Sequence, residues 1–189
     1  MDCRLDSLCR QMNGRLESQC KDTKNKSMAE KKNAISYESI MKDLKARKFA
    51  PVYVLMGDEP FYIDKICDYI AENVLQPEER DFNQTVLFGA DTTAVQVVDQ
   101  CKGYPMMAEF RVVIVKEAQN LKSLDALEKY LEKPVKSTVL VICNKNGSID
   151  RRKKFIPRAE QVGVVFESKK LYDRQLPGFI ETYLKDRKS

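Results

Sequence analysis

Three stretches of this chain are apolar almost without a break: VYVLM at 52–56, RVVIV at 111–115 and TVLVIC at 138–143. Short runs rich in β-branched residues, with no polar alternation, mark strands buried on both faces. Segments with helical spacing separate them. Phe61, Ile63, Ile66, Cys67, Ile70, Val74 and Leu75 form one stripe, which Pro77 should stop. Ala94, Val95, Val97, Val98 and Cys101 form a second, on a helix over Thr92–Lys102 with Asp91 as its N-cap. Leu121, Leu124, Leu127 and Leu131 form a third, over Leu121–Leu131. Connections this long exclude hairpins and require crossovers. The fold class is therefore α/β, a mostly parallel sheet with helices on both faces, in the manner of doubly wound folds. Minor elements complete the pattern: helices over Ile35–Lys48, Asp150–Gln161 and Asp173–Lys188, and strands over Phe82–Phe88 and Gly163–Phe166. The order of the strands cannot be read from the sequence.

In such a scaffold a phosphate cradle sits at the first strand–turn–helix, here Pro51–Ile66. A P-loop needs a glycine-rich loop whose N–H groups surround the phosphates, a lysine to reach them and a Ser or Thr for magnesium. This turn has the single glycine Gly57, no Lys-Ser or Lys-Thr pair, and the carboxylates Asp58 and Glu59 where the phosphate would lie. Their charge repels a polyanion. Either Asp58 or Glu59 is expected to cap the following helix, with Pro60 in its first turn. The scaffold resembles that of a nucleotide binder, and its site is expected to be vacant. The same two carboxylates make a poor acid/base or metal pair, because adjacent helix positions do not face each other.

Composition narrows the chemistry further. The chain has no histidine, which removes the usual general base and the Ser-His and Cys-His nucleophile systems. Its six cysteines include no C-x-x-C pair, so free thiols are expected and no metal site. With 43% hydrophobic residues among 189 it can bury a substantial core. No apolar run has the length of a membrane span and no signal peptide is evident, so a cytoplasmic protein without membrane contact is expected. Residues 51–148 carry ten Lys and Arg against fifteen Asp and Glu, whereas 1–50 carry twelve against seven and 149–189 eleven against six. An acidic centre between basic ends is a poor nucleic-acid surface. Residues 1–33 are polar, without lasting apolar periodicity, and are expected to be a disordered or loosely helical extension. Met28-Ala-Glu-Lys-Lys resembles a natural start within it.

Two further features could carry function. In Lys102–Glu109, KGYPMMAE, Gly103 and Pro105 break structure around Tyr104, and the two large apolar residues Met106 and Met107 follow. Apolar residues beside a strand usually cap the local core. The alternative is that the pair stands out as anchors for a partner, a role to which methionine is suited. The second feature is Asp150–Lys154, DRRKK, with Arg158 a turn later. It is either a solvated basic face or a contact for phosphates or an acidic partner.

Five motifs stand in the same order as in a known family: GDEPFYIDK after an apolar strand, YPMMAEFRVVIVKEA, TVLVIC, IDRRKKF and LYDRQLPGFI. Over about Tyr37–Leu184 the chain resembles the N-terminal part of the delta subunit of the bacterial DNA polymerase III clamp loader. The resemblance implies an AAA+-like domain at 34–170 without working ATPase machinery or cofactor, and the start of a helical lid domain at 171–189. The rest of the lid, and a C-terminal helical collar that contacts other clamp-loader subunits, would lie beyond this chain. In the family, an apolar pair before the buried strand plugs a pocket on the sliding clamp, the beta subunit. By position that pair is Met106 and Met107, flanked by Tyr104, Pro105 and Ala108. The mechanism implied is non-catalytic: the subunit favours the open clamp ring during DNA replication, while ATP acts on neighbouring motor subunits. Contact with DNA would be indirect, through the full complex.

Overall fold

In a computed structural model of the chain, residues 35–149 and 154–169 are described. Their elements run in the order α1 (Tyr37–Lys45), β1 (Val52–Gly57), α2 (Pro60–Asn73), α3 (Pro77–Asn83), β2 (Gln84–Phe88), α4 (Ala94–Lys102), β3 (Arg111–Lys116), α5 (Asp125–Tyr130), β4 (Thr138–Lys145), α6 (Phe155–Val162) and β5 (Val164–Ser168). The five strands form one sheet in the order β2-β3-β4-β1-β5, and every pairing is parallel. β1 lies inside the sheet, with Val54 opposite Ile142 of β4 and Val165 of β5.

The unbroken apolar runs follow from this position. On one face, Val52, Val54 and Met56 of β1, Val113 and Val115 of β3, and Leu140 and Ile142 of β4 share a core with α4, α5 and α6. On the other, Tyr53 and Leu55, Val112 and Ile114, and Val139, Val141 and Cys143 pack with α1 and α2. Successive side chains of a strand point to opposite faces, so a strand covered on both sides has no polar position left. Among the described residues no helix is long and apolar enough to cross a membrane.

Several boundaries differ from expectation, each for a local reason. Pro77 ends one helix but also opens α3, because proline at the first helical position sacrifices no intrahelical hydrogen bond. The Glu79 carboxylate takes the Gln76 N–H at 2.9 Å and fixes that start. Phe82 and Asn83 are consequently helical, and β2 begins only at Gln84. The cap of α4 is Thr93, not Asp91: its hydroxyl accepts from Gln96 N while the Gln96 side chain accepts from Thr93 N. Val95 is 58% exposed, one position off the buried stripe of Ala94, Val97, Val98 and Cys101. Thr93→Ala should lower stability by about 1 kcal/mol, the usual cost of losing a cap, and Asp91→Ala should lower it far less. Urea denaturation of the two variants distinguishes them.

The leucine-rich segment is a 3-10 turn at Ala118–Asn120 followed by the short α5, although Leu121, Leu127 and Leu131 are buried as expected. The described part of the basic helix begins at Phe155. The polar extension, residues 150–153 and the last helix lie outside the described residues. Cys67, Cys101 and Cys143 are free and buried. Burial pushes the Cys101 thiol up to about 12, which keeps it protonated and inert.

Candidate functional site

The connection from α4 to β3 is pinned at both ends. Gly103 closes α4 by donating to Gln100 O, and Thr138 Oγ1 donates to Cys101 O at 2.9 Å within the core. Arg111 Nη2 donates to Gln100 Oε1 at 2.7 Å, tying the entry of the connection to its exit. The guanidinium lies against Gly103, where a Cβ would come within 3.1 Å of it. Beyond the tip, Ala108 and Phe110 pack on the core, and Phe110 meets Phe49 edge-on at 5.7 Å between ring centres.

Between these anchors the apolar residues stand in solvent. Met107 is 101% exposed, Tyr104 86% and Met106 60%, while Pro105 and Ala108 are half-buried. Single exposed apolar residues need no explanation, but three large ones within four positions form a patch. The core-capping role expected for the two methionines is overturned; Ala108 and Phe110 perform it instead. Met107 also has φ +52°, in the left-handed region that costs a side-chain-bearing residue about 1–2 kcal/mol. One side chain from outside the connection reaches its tip. Asn83, fully buried at the end of α3, accepts from Met106 N at 2.6 Å and donates to Met106 O at 2.8 Å and to Glu79 O at 3.0 Å. Sequence reasoning missed Asn83. Its signal was an asparagine inside an expected strand, where that residue is depleted.

Two N–H donors of the turn after β1 are taken by the protein itself. Gly57 N donates to Gly147 O at 3.0 Å and Asp58 N to Ser168 O at 3.2 Å. Ser168 Oγ donates to Glu59 O at 2.9 Å. A phosphate cradle requires such N–H groups to face the ligand; here they face β5 and the loop after β4. Glu59 holds the N-cap position of α2, with Pro60 in the first turn as expected, but its carboxylate makes no cap hydrogen bond. Lys145, at the end of β4, bonds to both Asp64 carboxylate oxygens, at 2.6 and 2.9 Å, and the carboxylate raises the ammonium above its usual range. Among the described residues no cluster of Cys, Asp and Glu is arranged to hold a metal ion.

The basic segment divides. Residues 150–153 lie outside the described region, and Arg158 turns inward to Glu128 and Glu132 at the α5–α6 contact. Its charge is paired within the protein although the side chain is partly exposed. Half-exposed ion pairs of this kind contribute about 0–1 kcal/mol.

Comparison with known proteins decides the family. The family model described as "DNA polymerase III, delta subunit" matches residues 53–169, more than half of the chain. The chain belongs to the DNA polymerase III delta-subunit family. The delta-family match includes the turn at Gly57 and the whole of Tyr104–Ala108. The chain is 28% identical over 150 residues to DNA polymerase III subunit delta of Bacillus subtilis strain 168, covering 74% of this chain and 43% of that protein. Its fold is similar to the solved structure of the Bacillus subtilis DNA clamp loader delta protein, with a TM-score of 0.68, 26% identity, and coverage of 76% of this chain and 45% of that one. The chain thus spans less than half the length of these delta relatives. The all-parallel sheet, covered by helices on both faces, is the α/β architecture expected from the sequence.

Proposed function

We propose that this delta-family chain is a non-catalytic clamp-loader component that binds the sliding clamp, the beta subunit, through Met106 and Met107, with Tyr104, Pro105 and Ala108 around them. The single observation that carries this reading is the tip of the connection: Met107 fully exposed and Met106 largely so, on a backbone tied down on both sides. A pre-ordered apolar finger loses little entropy on entering a pocket, which favours affinity. The occupied donors at Gly57 and Asp58 support the non-catalytic part. Binding the open ring more tightly than the closed one shifts the clamp toward opening, by no more than the difference between the two affinities. Contacts with other loader subunits run through the collar of the complete protein, contact with DNA runs through the full complex, and the working compartment is the cytoplasm. Residues 34–170 form the AAA+-like unit in this scheme, with the lid beginning at 171.

The test is association of this chain with the sliding clamp of the same organism, read by surface plasmon resonance, alongside melting with ATP and magnesium. Saturable clamp binding and an unchanged melting temperature are expected. Stabilisation by nucleotide, about 2.7 kcal/mol at a hundredfold excess over Kd, together with no affinity for the clamp, would instead establish a nucleotide-dependent enzyme on this scaffold.

A further inference from the structure

We propose that Asn83 is a positioning residue for the Met106–Met107 finger, setting its backbone from the neighbouring helix without touching the partner; this rests on the clamp-binding role proposed above. The chemistry of the contact is specific. A carboxamide presents one acceptor and two donors in a plane. Asn83 uses all three: Oδ1 accepts from Met106 N, one amide hydrogen goes to Met106 O, and the other to Glu79 O. The side chain therefore pairs with both backbone polar groups of one residue, as a neighbouring strand would. The bond to Glu79 O, one helical turn back, orients the amide so that its nitrogen faces Met106 O. Aspartate would present two acceptors and no donor, and a hydroxyl could not span both groups.

The position of this pairing gives it consequence. It fixes the peptide immediately before Met107, whose left-handed backbone and fully exposed side chain leave it without packing of its own. A strained conformation persists only where its surroundings over-determine it. Here those surroundings are the Asn83 pair on one side and the packed Ala108 and Phe110 on the other. Removal of the pair lets the tip sample other conformations, and apparent affinity falls in proportion to the competent fraction.

Asn83→Ala and the near-isosteric Asn83→Asp test this in the whole chain, together with the double variant Met106→Ala/Met107→Ala. Both Asn83 variants should bind the sliding clamp ~10–100-fold more weakly, and the free variants should exchange the Met106 amide hydrogen correspondingly faster. The Val113–Val115 amides should remain protected. In the double-alanine background Asn83→Ala should cost little further affinity, because the finger it positions is gone. If the double-alanine variant binds the clamp like the parent, the clamp reading is at fault, and Met106 exchange alone then judges the tie. If that variant loses binding while either Asn83 variant keeps parental affinity, the positioning role is overturned. Loss of protection at Val113–Val115, or an equal further loss in the double-alanine background, would also overturn it, making Asn83 a general support of the fold.

Discussion

Met106→Ala combined with Met107→Ala will weaken association with the sliding clamp by about 2–5 kcal/mol, the scale of hot-spot truncation at interfaces, while leaving the fold intact. Each half of this expectation has a separate ground. Fully burying a large apolar side chain contributes ~1.5–3 kcal/mol, and the pair loses most of that when cut back to methyl groups. In the free chain the same side chains stand largely in solvent, so their removal opens no cavity in either core. The left-handed backbone at Met107 is disfavoured for alanine as well, and the substitution leaves that cost where it was. Titration calorimetry for affinity and urea denaturation for stability separate the two. A double variant that binds like the parent would remove Met106 and Met107 from the interface. One that unfolds would return them to the core.

The strongest signals in the sequence were those of two-sided burial. β1, β3 and β4 lie within a residue or two of where their apolar runs placed them, since no other environment tolerates such runs. Elements whose ends depend on a single side chain were harder to place. Pro77 is compatible with both stopping a helix and starting one, and the Glu79–Gln76 contact that decides between them is a matter of geometry. The exposure of Met106 and Met107 was harder still. An apolar pair beside a strand turns inward unless something holds the backbone outward, and what holds it is Asn83, 23 residues earlier in the chain. The motif order pointed to the loop, but not to the residue that ties it down. The order of β1, β3 and β4 among themselves had no signal in composition or periodicity, because each is an interior strand buried on both faces whichever neighbours it pairs with, whereas the edge strand β2 leaves Val86 and Phe88 exposed.

Gly57→Ala will destabilise the chain by about 2–4 kcal/mol, combining backbone strain with overpacking, each ~1–3 kcal/mol. Gly57 has φ +133°, a region in which a side-chain-bearing residue has no comfortable minimum. An added Cβ would lie 2.0 Å from Ser168 O and 2.6 Å from Ser168 Oγ. That carbonyl is backbone, and it already accepts the Asp58 N–H, so it cannot yield without loosening the end of β5 from the turn. In a phosphate-binding turn, glycine is required so that the ligand can approach the backbone, and alanine there harms ligand affinity first. Here the close approach is made by β5 of the protein itself, so stability should fall first. The check is the urea midpoint, which should drop with an unchanged slope. A variant with the parental midpoint would mean that Ser168 does not press on Gly57, and the space beside the turn would again be open to a ligand.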